Sequence, residues 1–231
     1  MMPILPPCTR RERRPCGALK GTRPAAPQLR PGAGREAIVR GVTFSGGGAG
    51  DVRRPGARLR VTVDALRTAK AESPELFSYL LGGTVDEETA RTAAAEGVPA
   101  EFLDFCRVLD GASCGPSVQL FGLEEALGHQ FYCDPIVDCV LPLSPEKLFC
   151  VGMIHETPVY VDRAGGGVLG IPDEHREWPD AERFEHLAPG LEEFFVERLA
   201  TAEYVRIGLV DDELAEYDEW LTLLRRAGLA A

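Results

Sequence analysis

Long apolar runs are missing from this 231-residue sequence. No stretch approaches the ~18–20 uninterrupted apolar residues of a membrane-spanning helix, because a charged residue breaks each candidate first. Paired cysteines are missing too. The seven cysteines include no Cys-x-x-Cys, their number is odd, and no secretion signal precedes them, which favours reduced thiols in a cytoplasmic protein over a disulfide framework. No internal repeat is visible. Hydrophobic residues nevertheless make up 45% of the chain, enough for a real core and too many for disorder throughout.

Charge is present but divided. The whole chain carries −11, which argues against a nucleic-acid or anionic-membrane partner. Residues 1–60 hold thirteen Lys/Arg against Glu12, Glu36 and Asp51, a net of +10. The remaining 171 residues hold 12 Lys/Arg and 33 Asp/Glu, a net of −21. Eight prolines and ten glycines also fall in residues 1–60, a composition that goes with disorder.

This basic arm fits no targeting signal. Arg13-Arg14 form a twin-arginine pair, but Pro15-Cys16-Gly17-Ala18-Leu19-Lys20 supplies no apolar segment after it. The prolines forbid the amphipathic helix of a transit peptide. Ser45–Gly50 is glycine-rich but lacks the Gly-Lys-Ser/Thr of a phosphate loop, and Asp51 would repel phosphate. Two expectations stand for residues 1–60: a disordered tail, or translated sequence ahead of the true start.

The acidic body is punctuated more clearly. Ser73-Pro74 marks a short helix through Leu76, Phe77 and Leu80 to Gly82, and Thr84–Glu87 has capping-box spacing before an Ala-rich helix ending at Gly97. From Pro99, the residues Phe102, Phe105, Cys106 and Leu109 fall at i, i+3, i+4 and i+7, a buried helical stripe ended by Gly111. Val118 and Leu120 then alternate as in a strand, and a brief helix covers Leu123–Leu127. Ile136–Leu141, Leu148–Ile154, Thr157–Asp162 and Val168–Ile171 read as strands, the last three as an antiparallel meander with Pro158 at an edge or a strand start. Leu191, Phe194, Phe195, Arg198 and Leu199 show helical spacing. A final helix is expected from Asp211-Asp212-Glu213 to Arg225-Arg226, with Gly228 beyond and a stripe of Leu214, Tyr217, Leu221 and Leu224.

The order of these segments carries a resemblance. The stretches VPAEFLDFCRVLDGA, VQLFGLEEA, KLFCVGMIHETPVYVD, RAGGGVLGI and APGLEEFFVERL together resemble the SUKH superfamily of SMI/KNR-type proteins. The matching positions are Pro99, Phe102, Phe105 and Gly111, then Val151, Gly152, Pro158 and Asp162, then Gly167, Val168, Leu191, Phe194 and Phe195. Most are packing and turn residues, so they speak to fold more than to function. The resemblance spans residues 74–200. It implies an α+β domain, a mainly antiparallel sheet flanked by helices, here with one extra C-terminal helix over 201–231. Bacterial members are mostly immunity proteins that bind a cognate toxin, often a nuclease or deaminase; fungal members regulate cell-wall assembly. Two features depart from the pattern: the long arm, and Gly152-Met153-Ile154-His155-Glu156, where members often place a second glycine.

Catalytic and metal-binding sets are weak by comparison. Cys106, His155 and Asp162 would supply a nucleophile, a base and an orienter, but Cys106 falls on the buried stripe and Asp162 reads as a turn residue that binds nearby N–H groups. His129, Cys133, Cys139 and Cys150 lack the short paired spacings of a zinc site. His175 and His186 read as surface residues. No cofactor or metal is expected, and the protein is read as non-enzymatic.

The acidic surface is the stronger signal. Asp173, Glu174, Glu177, Asp180, Glu182 and Glu185 crowd around Trp178 with only Arg176 and Arg183 opposing. An aromatic anchor ringed by carboxylates suits a basic protein partner. The plainer alternative is a solvated loop with its tryptophan folded back onto the core. Six acids in Asp211–Glu219 form a second candidate face. The expected function is an immunity protein occluding a basic toxin; the alternative is a regulatory or scaffolding module without a toxin.

Overall fold

The computed structural model describes residues 56–74, 80–134, 141–171, 181, 183–211, 213 and 215–230. The arm up to residue 55, the helical segment at Leu76 and Phe77, and the strand expected at Ile136–Leu141 (save Leu141) lie outside them.

Seven strands among the described residues form one antiparallel sheet in simple sequential order. They are β1 (Leu81–Gly83), β2 (Asp110–Cys114), β3 (Val118–Leu120), β4 (Leu148–Ile154), β5 (Thr157–Asp162), β6 (Val168–Gly170) and β7 (Glu185–Ala188). The chain is therefore α+β, with helices flanking an antiparallel sheet. β4, β5 and β6 are the meander that the alternating apolar pattern predicts. Pro158 is the second residue of interior strand β5, so of its two expected placements the strand start is the one found.

Both faces of the sheet centre are buried. Phe149 pairs in register with Val161, and Phe149 meets the Phe102 ring of helix α3 (Ala100–Cys106) at 5.2 Å. The neighbouring pair, Cys150 and Tyr160, points to the opposite face because side chains alternate along a strand. That face is covered by helix α4 (Leu123–Gly128) and the 3₁₀ turn Gln130–Cys133. Gln130 fastens the cover: its side-chain amide accepts from Cys150 N at 3.1 Å and donates to Cys150 O at 2.9 Å. It satisfies both groups just where β4 bulges between Cys150 and Gly152.

On the helical side, α1 (Ala57–Ala71) buries Leu59, Val63 and Leu66, spaced i, i+4 and i+7. It begins inside the segment 1–60 that composition assigns to the arm. The helix carries no acid in its first turn and no cap of its own. Glu192 supplies one from far along the chain, accepting from Gly56 N at 2.9 Å and Leu59 N at 3.1 Å. Such a cap leaves no local trace in sequence.

Other boundaries also shift. Helix α2 (Glu87–Ala95) is capped by Asp86, whose carboxylate accepts from Thr89 N at 2.8 Å, so the cap is not Thr84. Leu81–Gly83, expected at the end of a helix, is a strand. Helix α3 stops at Cys106, and Gly111 lies within β2 at φ +90°, where an added Cβ would come within 2.7 Å of Gly122 N. That glycine permits a close strand approach and does not end a helix.

After β7, Leu191–Glu193 (α5) opens into a π-helical turn over Phe194–Leu199. Helix α6 (Tyr204–Ile207) follows, and helix α7 (Glu219–Arg226) closes the described chain. The last helix thus starts eight residues later than Asp211 would place it. Its cap is Asp218, which accepts from Leu221 N at 2.7 Å and from Tyr204 Oη at 2.9 Å. Tyr217 is exposed, and Trp220 takes the buried place expected for it, donating to Leu199 O at 2.8 Å.

Extending an N-terminal truncation from residue 55 to residue 60 should lower the thermal midpoint by several degrees, because it removes buried Leu59 and the capped first turn. Equal midpoints would show that the first turn of α1 contributes nothing. Phe102→Ala and Phe194→Ala each truncate a ring that is at most 1% exposed and should each cost about 3–5 kcal/mol in denaturant unfolding.

Candidate functional site

The residues that sequence reasoning proposed for partner binding, Asp173, Glu174, Glu177, Trp178, Asp180 and Glu182, lie outside the described residues, as does His175. The next strand begins with the exposed residues Glu185 and His186. The second candidate face, Asp211–Glu219, is not a uniform acidic surface, since Asp218 is only 7% exposed and serves as the buried cap of α7.

The possible catalytic triple is not assembled. His155 lies at the β4–β5 hairpin, beside the Ile154–Thr157 pair, whereas Asp162 pairs with Leu148 at the far end of the same strand. At about 3.4 Å per residue the two ends of β5 are roughly 17 Å apart. Asp162 instead closes its turn, accepting from Ala164 N at 2.9 Å, as a turn carboxylate should. Cys106 is fully buried in α3, and burial pushes its thiol far up.

The possible zinc ligands are spoken for differently. His129 stacks on Phe121 at 4.5 Å, and the Cys133 thiol donates to the Gln130 amide oxygen at 3.5 Å. Burial pushes the Cys133 thiol up to about 11 and the Cys150 thiol up to about 12. Cys139 lies outside the described residues, and no group of three metal-binding side chains occurs among those described.

A different site emerges below the β4–β5 hairpin. A cleft of about 160 Å³ opens between the ends of β5, β6 and β7 and the C-terminal helices. Ile154, Val159, Ile171, Leu187, Phe194 and Ile207 supply its apolar lining. Arg198 from the π-helical turn and Arg206 from α6 reach it, with His155, His186 and Glu185 at the sheet side. Both arginines share one oxygen of Glu203, at 3.2 Å from Arg198 Nη1 and 2.6 Å from Arg206 Nη2.

Two costly backbone features converge here. The π-helical turn is one, a rare geometry that recurs at functional sites. His155 is the other. It takes φ +54° in a two-residue hairpin, where glycine is the usual choice. Its N–H reaches past the strand pairing to Ser117 O at 2.5 Å, which holds the hairpin over β3. A non-glycine residue in this region costs on the order of 1–3 kcal/mol. The imidazole Nε2 is in addition buried without a hydrogen-bond partner, and a buried unpaired group costs about 1–3 kcal/mol more. Sequence reasoning noted the departure from glycine at this hairpin but had no means of seeing that His155, Arg198 and Arg206, the first and last 51 residues apart, line one cleft.

The sequence matches no family model and no curated protein.

The described thiols make a direct prediction. With Cys106, Cys114, Cys133 and Cys150 all buried and their thiols raised by burial, peptide-mapped labelling at neutral pH should leave all four unmodified until the protein is denatured. Rapid labelling of any one in the folded state would show a reactive thiol.

Proposed function

We propose that this chain is a SUKH-like, non-enzymatic immunity protein that binds and neutralises a basic toxin by covering its active site. The single observation that carries the reading is charge: residues 61–231 bear a net −21, with carboxylates clustered around Trp178. A toxin that cuts or modifies nucleic acid presents a cationic path for phosphates, and a carboxylate cluster fits that path in their place. The order of elements supports the same reading: α3, then the β4–β6 meander, then the Phe194–Phe195 helix follow the sequence in which the family resemblance runs. Phe102, Phe105, Phe194 and Phe195, which carry part of that resemblance, all pack in one core.

In this account the acidic side chains steer and the tryptophan holds. Asp173, Glu174, Glu177, Asp180 and Glu182 raise the rate of encounter, while Trp178 fills a pocket on the partner and slows its escape.

The test is co-expression with a growth-arresting protein encoded beside this gene, followed by surface-binding kinetics. Growth should be restored and a complex should form. Joint reversal of Asp173, Glu174, Glu177 and Asp180 to Lys should slow association about tenfold or more, and Trp178→Ala should act mainly by speeding dissociation. Continued arrest with no complex would overturn the reading. Binding indifferent to all five substitutions would remove this segment from the interface.

A further inference from the structure

Two depressions adjoin where the first strands of the sheet meet α2 and α4, and both carry charge of one sign. One is lined from β1, β2, β3 and the start of α4, the other from α2 and α4. They share Asp110 and Glu124. Their lining, among the described residues, includes Glu88, Glu96, Asp110, Glu124 and Glu125 and no lysine, arginine or histidine.

The fold uses two of these carboxylates. Asp110 accepts from Leu123 N at 2.7 Å, and Glu125 accepts from the Gln119 side-chain amide at 2.7 Å. Glu88, Glu96 and Glu124 form no ion pair among the described residues. Glu88 and Glu124 stand in the first turns of their helices, where the dipole favours an acid. Glu96 is placed against that rule. It is the C-terminal cap residue of α2, where the dipole disfavours a carboxylate, and the last turn of that helix holds no base. Arg163 reaches the neighbouring Gly97 carbonyl but lines neither depression.

Apolar side chains line the same surface. Val85, Ala93, Leu123 and Leu127 belong to the α2–α4 depression, and Leu127 is 41% exposed. Gly82, Gly111 and Gly122 line the other, with no side chain to fill it. Charge and lining together select the occupant. A polyanion is repelled, a neutral apolar helix leaves the acids unpaired, and a purely cationic chain leaves Leu127 wet. We infer that the two depressions form a docking groove for a cationic amphipathic segment of a protein partner. Its lysines or arginines pair with Glu88, Glu96 and Glu124, and its apolar side chains cover Val85, Leu123 and Leu127. The groove does not include the Trp178 segment and does not rest on the toxin reading, so either can fail alone.

The probe is a fluorescent peptide of leucine and lysine at helical spacing, titrated into the full chain at physiological ionic strength and followed by anisotropy. A serine–lysine peptide of equal charge is the control. The leucine–lysine peptide should bind saturably and more tightly than the control. Joint replacement of Glu88, Glu96 and Glu124 by Gln should weaken it about tenfold, since each exposed pair is worth a few-fold. Leu127→Ser should weaken it about fivefold. The same number of charges removed at Asp211, Glu213 and Glu216, which line neither depression, should change affinity less than twofold. Glu96→Gln alone should leave the thermal midpoint unchanged or raise it, because it removes an acid from a helix C-terminus; that separates a lost contact from a damaged fold. Absence of saturable binding would overturn the groove. Equal weakening by the Asp211, Glu213 and Glu216 replacements would reduce the effect to net charge and overturn it too. Equal binding of the serine–lysine peptide, or indifference to Leu127→Ser, would overturn the amphipathic occupant.

Discussion

A seam of aromatic rings, bridged by one turn of α3, ties the layers of this protein together, and much of its architecture follows from keeping that seam dry. Phe149 of β4 meets Phe102 of α3 at 5.2 Å; one turn along, Phe105 meets Phe195 of the π-helical turn at 5.7 Å, and Phe195 meets Trp220 of α7 at 6.2 Å. Each ring belongs to a different segment of the chain or to the next turn of the same helix. All five are at most 3% exposed. Edge-to-face and tilted pairs of this kind add about 0.5–1.5 kcal/mol each beyond the area they bury. The consecutive phenylalanines Phe194 and Phe195 are both buried, Phe194 lining the cleft and Phe195 in the seam. The wide π-helical turn, closed by Ala200 N to Phe195 O at 2.8 Å, lets adjacent residues be buried in both places.

The C-terminal helices depend on a second, polar knot. Asp218 caps α7 and takes the Tyr204 hydroxyl, and that hydroxyl lies so close to Gly115 that an added Cβ would stand 1.9 Å away. A buried carboxylate, a buried phenol and a glycine at φ +72° therefore fix α6 and α7 against the β2–β3 turn. The same arrangement places Arg198 and Arg206 on one side of the cleft. Packing and site are thus not independent, since the seam sets the π-helical turn and the turn sets Arg198.

How much of this was legible in the sequence depended on whether the signal was local. The strands Leu148–Ile154 and Thr157–Asp162, the α3 stripe of Phe102, Phe105 and Cys106, the short helix after Gly122 and the turn role of Asp162 rest on neighbours a few residues away, and all were readable. Helix α1 was not, because its cap is Glu192, more than 130 residues on, and its first turn sits among prolines, glycines and arginines. The start of α7 was misplaced because Asp211, Asp212 and Glu213 look like a first turn, while the working cap is Asp218, which accepts from Leu221 N and is also held by Tyr204. The cleft was illegible for the same reason: its histidine and arginines come from a hairpin and two helices. The acidic segment around Trp178 was legible as charge alone.

Electrostatic steering by the acidic body is the central functional proposal, and the association rate constant with the proposed toxin partner, measured as a function of salt, tests it most directly. At low ionic strength the attraction reaches far; at physiological strength the Debye length is ~8 Å and only close charges act. The account predicts that the rate falls steeply and monotonically as salt is raised, while the dissociation rate changes little. An association rate that is flat across that range would contradict it.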